Sequence, residues 1–172
     1  MGIPDRILLK PGKLTPEEFE IMKTHTTLGR DAIIAAETGT TQDNPFFRYA
    51  KEIAYSHQEK WDGSGYPEGL VGNTIPLSAR LMAVADVYDA LISERVYKPA
   101  YSHEQAVEII RDGRGSHFDP DMVDAFLTLS EEFRRIAQQF ADAEPARLAQ
   151  VDRLAADLPM ERIELTSREE PL

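Results

Sequence analysis

The chain has 172 residues, a formal net charge of −11, 42% hydrophobic residues and no cysteine. Its length allows one domain with a real core and its lack of cysteine fits a cytoplasmic protein without disulfides or thiolate metal sites, so any metal must be held by His, Asp and Glu. The acidic balance excludes a broad nucleic-acid surface, though not a small phosphate-bearing ligand held by a few local cations, and no apolar run reaches the ~20 residues needed to span a membrane.

Residues 1–14 carry Gly2, Pro4, Pro11 and Gly12 without periodicity and read as a loop. Thr15-Pro16-Glu17-Glu18 is a helix start, with Thr15 as N-cap, proline in the first turn and Glu18 closing a capping box. Phe19, Met22, His25, Leu28, Ile33 and Ala36 follow at near-helical spacing, and Gly39 marks the end. The polar turn from Thr40 to Pro45 leads to a second helix over about 46–59, with Phe47, Ala50, Ile53, Ala54 and His57 near one face. A Gly/Pro-rich loop runs from Trp61 to Pro76. A third helix is expected over 77–93, apolar nearly all round and therefore central and buried. Ser102-His103-Glu104-Gln105 is a second capping box that opens a helix to about Arg111. Asp119 caps a further helix with Phe118 as its hydrophobic staple, and residues 141–172 form an acidic, alanine-rich helical extension whose last ten or so residues fray. The fold class is all-α.

Three residues invite a chemical reading. His25 lies mid-helix among apolar neighbours, and His57 closes its helix beside Glu59 and Asp62. Asp86 sits inside Leu81-Met82-Ala83-Val84-Ala85-Asp86-Val87-Tyr88, where an unpaired buried carboxylate costs several kcal/mol and so needs a partner. Facing helices that offer imidazole and carboxylate are how all-α folds build divalent metal sites. Arg95 and Lys98 follow the third helix. They fit either a phosphate clamp or two solvated charges at a helix end. His103 is read as exposed, and His117 as part of a cap, neither with a site role.

Gly2-Ile3-Pro4-Asp5, Lys10-Pro11-Gly12-Lys13-Leu14, His57-Gln58-Glu59 with Asp62-Gly63-Ser64-Gly65-Tyr66-Pro67, Ala85-Asp86-Val87-Tyr88-Asp89-Ala90 and Gly115-Ser116-His117-Phe118-Asp119-Pro120 stand in an order that resembles the HD-GYP domain over about residues 1–128. The resemblance implies a helical bundle of the HD-domain type with two or three metal ions, iron or manganese, and hydrolysis of the bacterial second messenger cyclic di-GMP. It implies metal ligands at His25, His57 and Asp86, substrate phosphates held by Arg95 and Lys98, and a signature loop of Asp62, Gly63, Gly65, Tyr66 and Pro67. Members often follow a response-regulator receiver domain, and the loop has been linked to contacts with diguanylate cyclase (GGDEF) domains.

Two departures bear on activity. The family's His-Asp pair normally precedes the Gly-Ile-Pro-Asp motif, where this sequence starts, so the expectation is an N-terminally truncated domain (1–128) followed by the extension (129–172). The family also often has two adjacent histidines where this chain has His57-Gln58. Three ligands leave an open, weak site, so this chain alone is expected to hydrolyse cyclic di-GMP poorly. It is also expected to expose apolar surface on residues 19–36 and 77–93. Two readings stay open: part of a metal-dependent phosphodiesterase, or a degenerate protein-docking module of the same signalling system.

Overall fold

The computed structural model describes residues 2–37, 44–93 and 100–156. Among them run α1 (Asp5–Leu8), α2 (Pro16–Lys23), α3 (His25–Glu37), α4 (Pro45–Ser56), α5 (Leu77–Ile92), α6 (His103–Asp112) and α7 (Pro120–Ala156). No strand occurs among the described residues, only the isolated bridges Asp62–Val71 and Arg114–Phe118. The fold is all-α, as expected.

The helix starts obey their caps. Thr15 Oγ accepts the Glu18 N–H at 3.3 Å while the Glu18 carboxylate accepts the Thr15 N–H at 2.8 Å. Ser102 and Gln105 exchange the equivalent bonds at 3.2 and 2.9 Å. Asn44 caps α4 by accepting the Phe46 N–H at 2.9 Å. The turn expected at Gly39 and residues 40–43, the phosphate-clamp candidates Arg95 and Lys98, and the chain's end from 157 on lie outside the described residues.

Three local expectations need correction. A short helix, α1, forms inside the segment read as loop, and buries Ile7. The helix expected to run unbroken from Thr15 is interrupted at Thr24. The hydroxyls of Thr24, Thr26 and Thr27 donate to the carbonyls of Ile21, Lys23 and Thr24 at 2.7–2.9 Å, and these local bonds compete with the helical ladder. The second helix ends at Ser56, with His57 as its C-cap, so Glu59 belongs to the following loop. Helix is present beyond residue 140, as expected: α7 runs from Pro120 to Ala156.

The first unit, Met1–Glu131, has its core around one side of α5. Ala83, Val84 and Tyr88 of α5, Ala106 and Ile110 of α6 and Val123 and Phe126 of α7 are all buried; α5 packs on α6, and the Tyr88 and Phe126 rings lie 5.6 Å apart. α3 packs against α4, and α4 against α5. The other side of α5 is not buried: Leu77, Leu81 and Met82 are exposed, Leu81 at 53%, as are Phe19 and Leu28 on α2 and α3. The apolar exposure expected on these helices is therefore present, whereas the expectation of an α5 buried all round is wrong. A continuous run of apolar residues does not say how many faces find a neighbour. Asp86 stands on this open side and is itself exposed, so the burial argument made for it does not hold. His103 is corrected in the opposite sense. Its side chain is only 10% exposed, and Nδ1 lies 2.8 Å from the Tyr88 hydroxyl.

Candidate metal centre

The break at Thr24 places His25 at the start of α3, and the end of α4 places His57 at its C-cap. The two rings meet edge to face with centroids 5.2 Å apart and their Nε2 atoms 3.2 Å apart. His25 Nδ1 lies 2.7 Å from the Met22 carbonyl oxygen, and His57 Nδ1 lies 2.9 Å from that of Ile53. A carbonyl oxygen only accepts, so each Nδ1 carries a proton, which leaves Nε2 as the lone-pair nitrogen whenever the ring is uncharged. Two lone pairs aimed at each other repel unless a cation lies between them, either a proton or a metal ion. Anchoring the far ring nitrogen on a backbone carbonyl is also how metal-ligating histidines are held. Two nitrogens bonded to one tetrahedral ion at about 2.05 Å stand about 3.3 Å apart, close to the observed 3.2 Å. The donor set thus fits a divalent ion.

Among the described residues no group of three or more His, Asp or Glu side chains gathers closely enough to hold a metal. The structure therefore brings together His25 and His57, with Asp86 outside their immediate contact. Tyr66 is the link: its ring meets His25 edge-on at 6.2 Å, and its hydroxyl is held above its ordinary pKa by burial first and by the charge of Asp86 second. Lys23 Nζ lies 5.3 Å from the centre of the Phe19 ring and 5.9 Å from that of Tyr66. Its ammonium also donates to Glu20 Oε1 at 2.6 Å, so this cation is already paired.

Tyr66 is held in place by a tightly built loop. A Cβ on Gly65 would stand 2.3 Å from Lys60 N and 2.6 Å from Gln58 O, so only glycine fits there. The Tyr66 N–H then donates to the Gln58 carbonyl at 3.1 Å, and the Tyr66–Pro67 bond is cis. Asp62 accepts both the N–H and the hydroxyl of Ser64, at 2.9 and 2.6 Å, which hold its carboxyl below the usual range. Glu59, 3% exposed, turns inward and accepts the N–H groups of Glu68 and Leu70 at 2.7 and 2.9 Å. An acidic residue two places after a histidine looks like a ligand in sequence. Here both its oxygens are occupied by the loop backbone.

A family model described as an HD domain matches residues 1–122, and the chain belongs to this family. Among curated proteins it is 61% identical over 146 residues to a probable cyclic di-GMP phosphodiesterase of Vibrio cholerae serotype O1, covering 85% of this chain and 33% of that protein. It is 59% identical over 145 residues to a cyclic di-GMP phosphodiesterase of the same organism, covering 83% of this chain and 29% of that one. It is also 45% identical over 143 residues to the cyclic di-GMP phosphodiesterase response regulator RpfG of Xanthomonas campestris pv. campestris, covering 83% and 36%. The chain thus spans about a third of the length of these relatives. Among the described residues no helix is long and apolar enough to cross a membrane.

Proposed function

We propose that this chain is part of a metal-dependent cyclic di-GMP phosphodiesterase acting in the cytoplasm. The observation that carries the reading is the pair of opposed Nε2 lone pairs 3.2 Å apart, in an HD-domain chain whose relatives are named for that activity. His25 and His57 hold a divalent cation, iron or manganese. Asp86, on the open side of α5 and outside the immediate contact of the two histidines, is the carboxylate offered to this centre. A cation bound there would polarise a phosphate oxygen and make a water molecule acidic enough to attack. Arg95 and Lys98, in the sequence that follows α5, are the cations offered to the substrate's phosphates. Tyr66 shields the imidazoles from bulk water. A receiver domain upstream is suggested by the response-regulator relative, and the Asp62–Pro67 loop is the surface offered to diguanylate cyclase partners. The docking-module alternative has no observation of its own, and it gives two carbonyl-anchored histidines no task.

Two gathered imidazoles bind a divalent ion weakly, because further anionic ligands are needed to offset its lost hydration. Purified chain incubated with manganese or ferrous iron is therefore expected to convert cyclic di-GMP slowly, to the linear dinucleotide or to GMP, and His57→Ala abolishes even this. The full-length protein containing this sequence is expected to turn over far faster with the same metal dependence. Failure of the full-length protein to hydrolyse cyclic di-GMP with either metal, or hydrolysis indifferent to His57→Ala, overturns the reading.

A further inference from the structure

We propose that the buried Arg80–Asp119 ion pair is a positioning element that fastens the loop of residues 61–76 to the connector between α6 and α7, and thereby sets Tyr66 against His25. This rests on the metal-centre reading above. Arg80 stands in the first turn of α5, and Asp119 immediately precedes α7. Arg80 Nη1 donates to Asp119 Oδ2 at 2.7 Å, with side-chain exposures of 15% and 3%, and to Asn73 Oδ1 at 3.0 Å. Its guanidinium carbon lies 5.9 Å from the centre of the Trp61 ring, within cation–π reach. One guanidinium thus touches both ends of the loop, Trp61 at its start and Asn73 near its close. Backbone bonds join the same parts: the Trp61 N–H donates to the His117 carbonyl at 3.1 Å, Asp62 N–H to Ser116 at 2.9 Å, and Gly72 N–H to Trp61 at 2.9 Å.

Stability alone does not account for the pair. Buried ion pairs are often replaceable by apolar side chains without loss. Arg80 Nε is moreover buried without a partner, the one such side-chain atom among the described residues, and an unpaired buried donor costs stability. What the arrangement supplies is geometry. Asp119 Oδ1 accepts the Asp121 N–H at 2.9 Å, so the cap of α7 orients the carboxylate, and the carboxylate orients the guanidinium. From there the constraint runs through Trp61 and the Gly65 contact to Tyr66, whose ring lies 6.2 Å from that of His25. A displacement of about 1 Å at a site of this kind is enough to cost roughly a hundred-fold in function.

The test uses the 172-residue chain with Arg80→Met, Arg80→Lys and Asp119→Asn, the last keeping the cap acceptor. Two quantities are measured: hydrogen exchange of the 57–76 amides, and Mn(II) affinity from the electron paramagnetic resonance signal of the free ion. Arg80→Met and Asp119→Asn are expected to speed exchange at Trp61, Asp62, Glu68 and Leu70 roughly ten-fold and to weaken Mn(II) binding by a similar factor, with α3 and α4 protection unchanged. Arg80→Lys, which keeps the cation, restores part of both. Unchanged loop exchange overturns the proposal. So does an even loss of protection across all helices in both variants, which would make the pair a general folding element. If wild type binds Mn(II) no better than His57→Ala, the metal-centre reading fails instead, while the exchange data still decide whether the pair holds the loop.

Discussion

Glu59→Gln is the sharpest probe of how the loop is built, because it changes one atom and no shape. The Glu59 carboxylate is 3% exposed and accepts two backbone N–H groups, from Glu68 at 2.7 Å and Leu70 at 2.9 Å. Glutamine offers one oxygen, and its amide nitrogen, a donor, would face the other N–H. A hydrogen bond to a charged acceptor contributes ~1.5–3 kcal/mol, and a buried donor left unpaired costs roughly 1–3 kcal/mol. Losing one bond outright and weakening the other comes to about 3 kcal/mol. At about 3 °C per kcal/mol for a domain of this size, the midpoint of thermal unfolding falls by roughly 10 °C. Thermal and urea unfolding followed by far-ultraviolet circular dichroism measure the loss. Exchange at the Glu68 and Leu70 amides localises it. A midpoint within about 2 °C of wild type, with those amides still protected, would show that the carboxylate is not the staple of the loop.

Two further predictions follow from the same region. Gly65→Ala places a methyl group 2.3–2.6 Å from backbone atoms of residues 58–60, so the loop must shift. The expected cost is about 3 kcal/mol in urea unfolding, with weaker Mn(II) binding as Tyr66 moves off His25. An alanine variant with wild-type stability and affinity would refute the close approach. His117, mostly buried and stacked on Phe118 at 4.2 Å, has its pKa lowered, first by burial and then by the charge of Lys60, with Asp62 opposing. Its folded value lies below the unfolded one, so the unfolded chain binds the proton more readily and stability rises with pH. The contribution is complete above about pH 6.5 and is lost as pH falls towards the folded value. The urea midpoint of wild type should therefore fall relative to that of His117→Asn as pH is lowered from 7.5 to 5, and a constant difference would contradict the assignment.

Local chemistry made much of the fold legible. Thr15 and Ser102 announce their helices because a capping box is complete within four residues, and the glycines and proline of 63–67 announce a shaped loop for the same reason. His25 and His57 were identifiable as a pair of interest on successive helices. What sequence could not convey is which surfaces meet. Asp86 looked buried because its neighbours are apolar, yet it stands on the open side of α5. Arg80 and Asp119 are 39 residues apart, and nothing local in either marks the partner. Glu59 was visible as an acidic residue near a histidine. Its task depends on two N–H groups that the fold brings back to it from residues 68 and 70. The interruption at Thr24 did have a local signal, the run of hydroxyl-bearing threonines around His25, which outweighs a helical hydrophobic spacing when the hydroxyls bond backwards.

The central claim is that one cation is shared by the Nε2 atoms of His25 and His57. Long-range proton–nitrogen spectra of the 15N-labelled chain, titrated with zinc as a diamagnetic divalent probe at fixed pH, address it directly. The account predicts that the Nε2 resonances of both histidines shift together at one zinc concentration, while each Nδ1 keeps its proton on the carbonyl of Met22 or Ile53. Independent shifts of the two rings, or a shift carried by Nδ1, would contradict it.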